Sequence, residues 1–350
     1  MKKIRIAQIG VTHEHAPAVI NSLKLRNDLF EIVGVVDDTV LCKDSPHMGG
    51  SIQDQYYSGL PVKTMEEVLN DPTIEAVTVE TANLMLTPVA LQFMEKGIPI
   101  YMDKPGSPDL QLYKKLLAGC KAKNLPFQIG YMFRVNPAFE FARKAIQNKL
   151  IGDLTYMELD MNHCYGGEPY QEYMRGLPGG IMYNLGCHLI DFTIRTLGAP
   201  KKVTPFLTSV TGDAPDTQNL CMAVLEYGNA FVNIRACSKM PMSDFANGRI
   251  MIIEGTNGSI FCKPLEIIGG PKEQELELYI HEERGDFPAG RHFMRFAPPR
   301  DRHEKQLEEF AATIRGEAKE TLTREHDLLT HEVILAASGF PDIVIGGETL

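Results

Sequence analysis

IRIAQIGVTHEHAPAVINSLKLRNDLFEIVGVVDD, residues 4–38, decides the fold. Ile4 to Ile9 predicts a strand, Glu14 to Leu25 a helix, and Glu31 to Val36 a second strand ending on Asp37-Asp38. Two strands joined through a helix run parallel. The unit then repeats, with a helix at Thr64 to Leu69, a strand at Ala76 to Glu80, a helix at Leu84 to Lys96 stopped by Gly97, and a short strand at Ile98 to Met102. A helix from Pro108 to Lys123 and a strand from Phe127 to Tyr131 complete a doubly wound α/β sheet. Such sheets bind ligands at the carboxyl ends of their strands, where Gly10 to Thr12, Asp37-Asp38, Glu80 to Asn83 and Asp103 to Pro105 fall.

After Tyr131 the pattern changes. Asn136-Pro137 caps a helix running to Lys149, and from Leu154 the strands follow one another directly: Leu154 to Met161, Val203 to Thr211, Leu220 to Tyr227, Ala230 to Cys237, Arg249 to Glu254, Ser259 to Cys262 and Leu276 to His281. Turn signals at Tyr227-Gly228-Asn229 and Thr256-Asn257-Gly258 mark antiparallel hairpins. This predicts a second, α+β domain on an open, mainly antiparallel sheet, with the boundary between residues 1–126 and 127–350. Helices at Arg302 to Arg315 and Arg324 to Ser338 cover that sheet or dock on the first domain.

Composition narrows the function. The 350 residues exceed what one core usually serves, and 44% hydrophobic with 23% charged residues is an ordinary globular mixture. A net charge of -10 and a pI near 5.5, with Lys and Arg scattered, exclude nucleic acid and anionic membrane as favoured partners and point to small-molecule chemistry. Seven dispersed cysteines without a CxxC pair suit reduced thiols in a cytoplasm, and no segment is apolar enough to cross a bilayer.

The chemistry concentrates at two places. In GGIMYNLGCHLID, Gly179 to Asp191, a helix from Ile181 to Leu197 would put Asn184, His188 and Asp191 on one face of an otherwise apolar segment, where polar residues need partners or a cavity. Lys104, just past a strand between Asp103 and Pro105, is either a proton-moving lysine or a surface lysine paired with Asp103. Gly10 before a helix outlines a phosphate site, although Thr12 and His15 stand where further glycines would be. Asp37 is placed to bind a ribose 2′-hydroxyl and Asp38 to repel a 2′-phosphate, which favours NAD over NADP. His13 and His15 around Glu14, with His163-Cys164 and Cys187-His188, raise the question of a metal. At i, i+2 on a helix start the two imidazoles would not face one another, so no metal is expected, and these histidines contact phosphate or substrate or cap the helix in solvent.

These residues together resemble the glucose-fructose oxidoreductase, inositol dehydrogenase and MocA (Gfo/Idh/MocA) family over nearly the whole chain. The resemblance is carried by Ile9-Gly10, Asp37, Asp103-Lys104-Pro105 in place of Glu-Lys-Pro, and Gly130-Tyr131-Met132-Phe133-Arg134 with Pro137. Gly152, Arg175, Gly179-Gly180, Gly186-Cys187-His188 with Asp191, and Glu254 to Gly258 complete it. It implies an N-terminal Rossmann domain, a C-terminal substrate domain whose sheet joins copies as a homodimer or homotetramer, and NAD(P)-dependent oxidation or reduction of a sugar or cyclitol. Lys104 and His188 then correspond to the catalytic lysine and histidine, Asn184 to the usual aspartate, and Leu86 to a frequent histidine. The resemblance and the strand ends together assign Gly10, Thr12, His13, His15, Asp37, Asp38, Thr81, Asn83, Asp103 and Lys104 to the cofactor. Tyr131, Arg134, His163, Tyr165, Arg175, Asn184 and His188 are assigned to the substrate. An amide at 184 can hydrogen-bond but not exchange a proton at neutral pH, which leaves open a redox-neutral NAD-dependent glycosidase or epimerase, or a regulator binding dinucleotide or sugar without turnover.

Overall fold

A computed structural model of the chain describes residues 2–164, 167–240, 248–267, 272–347 and 350. The chain divides into two compact units, residues 1–131 with 301–331 and 349–350, and residues 132–300 with 332–348.

The first unit is built from β1 (Ile4–Ile9), α1 (Ala16–Leu25), β2 (Phe30–Val36), β3 (Val62–Lys63), α2 (Met65–Asn70), β4 (Ala76–Val79), α3 (Leu86–Lys96), β5 (Ile100–Met102), α4 (Leu110–Ala122) and β6 (Phe127–Ile129). Its six strands are all parallel in the order β3-β2-β1-β4-β5-β6, the doubly wound arrangement expected from the repeated strand–helix units. All four β4 residues and five of the six in β1 are buried, as strands covered on both faces require. Local chemistry sets the helix ends. Thr64 and Glu67 form a reciprocal capping box on α2, and the Asp109 carboxylate accepts the Gln111 and Leu112 amides at the start of α4.

The second unit contains α5 (Pro137–Gln147), β7 (Leu154–Asn162), α6 (Gly167–Arg175), α7 (Cys187–Leu197), β8 (Lys202–Thr208), β9 (Leu220–Glu226), β10 (Phe231–Cys237), β11 (Arg249–Gly255), β12 (Gly258–Cys262), β13 (Gln274–Ile280) and β14 (Gly290–Phe296). The strands form one sheet in the order β14-β13-β12-β11-β7-β10-β9-β8, antiparallel except for the parallel β7/β10 pair. Asn136 caps α5 as its sequence foretold, its side-chain oxygen accepting the Ala138 and Phe139 amides ahead of a helix that starts on Pro137.

Two more helices end the chain, α8 (Glu304–Ile314) and α9 (Arg324–Ala337). Residues 301–331, read from the sequence as part of a domain 127–350, cluster instead with the first unit. Leu307, Phe310 and Ala311 of α8 pack with Val19, Ile20 and Leu23 of α1 around Ile4, Phe30 and Tyr101. Burying each of the larger side chains contributes roughly 1.5–3 kcal/mol, which is what holds α8 there. Three elements were not foreseen. β3 has only two residues, α6 carries Pro169 and few apolar residues, and β14 is half-exposed with charged residues among its apolar ones.

One expected element is altered. The run from Ile181 is not a single α-helix, because Met182–Gly186 forms a π-helical turn before α7 begins. Gly179 and Gly180 lead into it with φ of +77° and +49°, and a Cβ on either would come within 2.4 Å of Ser338 Cβ or 2.3 Å of the Gln218 carbonyl oxygen. Only glycine fits both conformation and space there. The wider turn breaks the simple i, i+4, i+7 relation on which a shared face for Asn184, His188 and Asp191 depended.

Candidate functional site

In the first unit the candidate residues gather at the carboxyl ends of β1, β2, β4 and β5, where β1 lies between β2 and β4 and the sheet changes winding direction. Gly10 has φ +106°, and a Cβ there would sit 2.6 Å from the Glu80 carbonyl carbon, so glycine alone lets the loop after β1 lie against the end of β4. Asp38 is buried and spends its carboxylate on this loop. Its Oδ1 accepts the Val11 and Thr12 amides at 2.8 and 3.2 Å, and its Oδ2 accepts the Thr12 hydroxyl and, at 3.1 Å, the Cys42 thiol. Burial and the adjacent Asp38 push that thiol up to about 12. At the start of α1, Ala16 and Ala18 donate to the carbonyls of His13 and His15, and Pro17 has no N–H. The phosphate cradle outlined by the sequence therefore has its loop amides already bonded within the chain. Asp38 serves the loop, whereas Asp37 is exposed and accepts the Thr39 amide and hydroxyl at 3.0 and 2.7 Å.

Lys104 is not the surface lysine that one sequence reading allowed. Its side chain is fully buried with Nζ 3.5 Å from Glu14 Oε1, while its backbone N–H donates to Asp103 Oδ1 at 2.6 Å and its carbonyl accepts from Asn83 Nδ2 at 3.4 Å. Thr81 is buried beside these residues with no hydrogen-bond partner for its hydroxyl.

Beneath the loop lies a cluster of titratable groups. His15 Nδ1 is 3.0 Å and His13 Nδ1 3.4 Å from Asp103 Oδ2, and the two imidazole rings are 5.1 Å apart. The expectation that these rings do not face one another fails because both precede the helix, on a loop whose backbone turns them toward Asp103. His13 Nδ1 also accepts the His15 amide at 3.1 Å. His303, just before α8, has its ring 5.6 Å from His15 and its Nδ1 3.0 Å from the Tyr101 hydroxyl. Glu80 is completely buried 4.0 Å from His13 Nδ1 and beside Asp103, with which it shares a side-chain hydrogen bond. Burial, reinforced by the negative Asp103, raises the Glu80 carboxyl well above its ordinary value. Burial would raise Asp103 as well, but His13, His15 and Lys104 overcome it and hold the carboxyl well below its usual range. Burial lowers His13 to about 4 against the pull of Asp103, and lowers His303 to about 3.

The second unit holds the other candidates. Asn184, in the π-helical turn, donates from Nδ2 to the Tyr170 hydroxyl of α6 at 3.2 Å, and the same tyrosine ring stands edge-on to His163 with centroids 5.0 Å apart. His188, buried on α7, stands edge-on to Phe133 at 6.0 Å. Asp191 is buried and accepts three hydrogen bonds from the Arg134 guanidinium, at 3.1, 3.1 and 2.6 Å. Arg134 is thus committed to Asp191, and Arg175 is engaged by Glu172 at 2.8 Å and Asp216 at 3.5 Å. Tyr131 is buried with its carbonyl accepting from Gln306 Nε2 at 2.7 Å. Tyr165 lies outside the described residues. Sequence reading passed over Tyr170, Glu80 and His303. Glu80 carried a signal in its place at a strand end, whereas His303 enters the cluster from two hundred or more residues downstream with no local sign.

Comparison with known proteins agrees with this architecture. Residues 4–131 match the family described as "Oxidoreductase family, NAD-binding Rossmann fold", and residues 139–261 match the GFO/IDH/MocA C-terminal domain. An uncharacterised Escherichia coli oxidoreductase, YhhX, is 30% identical over 71% of this chain and 67% of its own length. The Bacillus subtilis scyllo-inositol 2-dehydrogenase (NADP(+)) IolW is 24% identical over 65% of this chain and 63% of its own, so the match leaves over a third of that relative unspanned. Among solved structures, an oxidoreductase from Agrobacterium radiobacter in complex with NAD+, L-tartaric acid and magnesium shares the fold with a TM-score of 0.76 at 16% identity, covering 100% of this chain and 98% of that one.

Proposed function

Because the chain belongs to the Gfo/Idh/MocA oxidoreductase family, we propose that it is an NAD-dependent oxidoreductase acting on a hydroxyl or keto group of a sugar, cyclitol or related polyol. The observation that carries this reading is Lys104, an ammonium held wholly inside the protein at the end of β5, beside Glu14 and Asn83, at the ligand-binding edge of a parallel sheet. A buried cation without substrate to act on is costly, and such lysines serve catalysis.

The residues of the first unit fit a dinucleotide at three points. Gly10 lets the loop after β1 lie against the end of β4 at the ligand-binding edge, Asp37 presents an exposed carboxylate for ribose hydroxyls, and the orphaned Thr81 hydroxyl offers a polar contact. The loop amides are the departure. Asp37 would hold the adenosine ribose, and Thr81, Asn83 and Asp103 would line the remainder of the cofactor. The dinucleotide, when bound, supplies the nicotinamide that exchanges hydride. Lys104 orients and polarises the substrate oxygen, and the His188 imidazole takes or returns its proton. Asn184 contributes hydrogen bonding only, through the amide that already engages Tyr170. His163 contacts the substrate; Arg134 and Arg175 shape the site through the acids that hold them.

Supporting the substrate class are the relatives that act on inositols. The exposed face of the second unit's sheet carries Phe206, Phe231, Phe261, Tyr279 and Phe293, which supports a homodimer or homotetramer formed through it. Free cysteines, six of them buried, and the absence among the described residues of a helix long and apolar enough to cross a membrane accord with a cytoplasmic setting.

A second reading, a regulator that binds without turnover, is favoured by Asn184 and by the loop amides bonded to Asp38. A panel of sugars and cyclitols with NAD and NADP, followed by absorbance of the reduced cofactor, separates the two. Turnover with any polyol that is lost in Lys104→Met establishes the enzyme, and binding of NAD by calorimetry with neither cofactor reduction nor chemical change of any substrate across the panel establishes the regulator.

A further inference from the structure

We propose that His13, His15 and Asp103 form a binding site for one divalent transition-metal cation of the zinc or ferrous class, with Glu80 placed to complete the set. One ligand-type atom from each of the first three lies within 4.8 Å of the others. The Nδ1···Oδ2 distances of 3.0 and 3.4 Å bracket the edge of about 3.3 Å that a tetrahedral zinc with bonds of about 2.0–2.1 Å requires.

Independent of that convergence, the pocket contains a polar atom that nothing in the folded chain satisfies. His13 Nε2 is buried without a hydrogen-bond partner, whereas buried polar atoms are normally bonded, and the fully buried Glu80 carboxyl has only Asp103, another acid, as its side-chain partner. Glu80 Oε2 stands 4.0 Å from His13 Nδ1, near enough to join a metal after a small side-chain rotation. With both carboxylates ionised, a divalent cation leaves the pocket neutral.

Outer contacts fix the ligands as metal sites require. The Lys104 N–H holds Asp103 Oδ1 at 2.6 Å, leaving Oδ2 toward the histidines. Two imidazole nitrogens with carboxylate oxygen are borderline donors, suited to zinc or iron and poor for calcium, which takes six or more oxygens. Cation binding displaces one contact, the His15 amide on His13 Nδ1. All four residues belong to the same compact unit.

The test is metal retention, which needs no turnover and stands apart from the oxidoreductase reading. Full-length protein without a histidine tag is stripped with chelator, incubated with Zn²⁺, desalted and analysed for metal by mass spectrometry. Wild type is expected to keep about one equivalent, and His15→Gln and Asp103→Asn at least about tenfold less. Co²⁺ loading of wild type is expected to give the intense visible bands of a low-symmetry nitrogen–oxygen site. Failure of wild type to retain Zn²⁺, Fe²⁺ or Co²⁺, or equal retention by a His15→Gln protein with native circular dichroism, overturns the proposal; should both variants misfold, the Co²⁺ spectrum of wild type decides it.

Discussion

His331 should make the folded state sensitive to mild acid. Its imidazole is fully buried, with the ring 4.5 Å from Tyr113, Nε2 2.6 Å from the Ser107 carbonyl, and Nδ1 without a hydrogen-bond partner. A carbonyl accepts only, so Nε2 carries the proton and Nδ1 is bare. Burial lowers the pKa from 6.5 to about 4, more than the Ser107 bond can restore. Below about pH 6.5 the unfolded chain therefore takes up a proton that the folded chain refuses until about pH 4; stability is intact above that window and lost as pH falls through it. A shift of about 2.5 pK units corresponds to about 3 kcal/mol in full, and roughly 2 kcal/mol of it is lost by pH 5. His13 and His303 shift in the same direction, so wild type alone cannot isolate the effect. His331→Gln keeps an N–H for Ser107 and removes the titration. Urea unfolding at pH 7 and pH 5, followed by far-ultraviolet circular dichroism because the chain has no Trp, should show wild type losing about 2 kcal/mol more than the variant. Equal losses in the two proteins would refute the reasoning.

Arg134→Ala strips the guanidinium from the buried Asp191 and should cost about 3–5 kcal/mol in urea unfolding, with much of it recovered when Asp191→Asn is added; equal instability of single and double variants would show that the charge is not the cause. Asp37→Ala should weaken NAD binding by roughly 1.5–3 kcal/mol in calorimetry, and an unchanged affinity would remove this carboxylate from the ribose site. Asn184→Asp places a carboxylate against the Tyr170 hydroxyl and one turn from His188, so the pH profile of any turnover should move upward; an active enzyme with an unmoved profile would uncouple position 184 from the proton-transferring group.

Most of the architecture was legible because it is written in local signals. The strand β1 matches its sequence reading residue for residue, and the caps at Thr64 and Asn136 behave as their side chains dictate. What escaped depends on distance or on backbone detail. Assignment of α8 to the first unit follows from apolar contacts between residues nearly three hundred positions apart, which no periodicity reveals. The π-helical turn at Met182–Gly186 has the same apolar pattern as an α-helix, and only the backbone shows that Asn184 is directed to Tyr170 while Asp191 is directed to Arg134. Among site residues, Lys104 and His188 were legible from their places at a strand end and on a polar helix face, with the resemblance adding their roles, but the burial of Lys104 and the diversion of Asp38 into the loop are three-dimensional facts.

The positions at which this chain leaves the family pattern are not independent of one another. His15 stands in the third glycine place after β1, Asp103 stands in place of a glutamate, and the two side chains meet at 3.0 Å. A glutamate at 103 would carry its carboxylate one methylene further, into the space the imidazoles occupy, and a glycine at 15 would leave Asp103 with less positive potential around it. Thr12, in the second glycine place, turns its hydroxyl to Asp38, which has also taken the Val11 and Thr12 amides. Together these changes convert a loop that would meet an anion with backbone donors into one lined by acids and imidazoles. Asp38 and Asp103 are negative there and Lys104 is positive, so an approaching pyrophosphate faces net repulsion. Unit charges about 5 Å apart at an effective dielectric constant near 20 interact by about 3 kcal/mol, comparable to the worth of the amides diverted to Asp38. A divalent cation at His13, His15 and Asp103 would add positive charge beside that loop and oppose the repulsion. The altered loop and the proposed metal then answer one electrostatic requirement of a dinucleotide at this edge of the sheet.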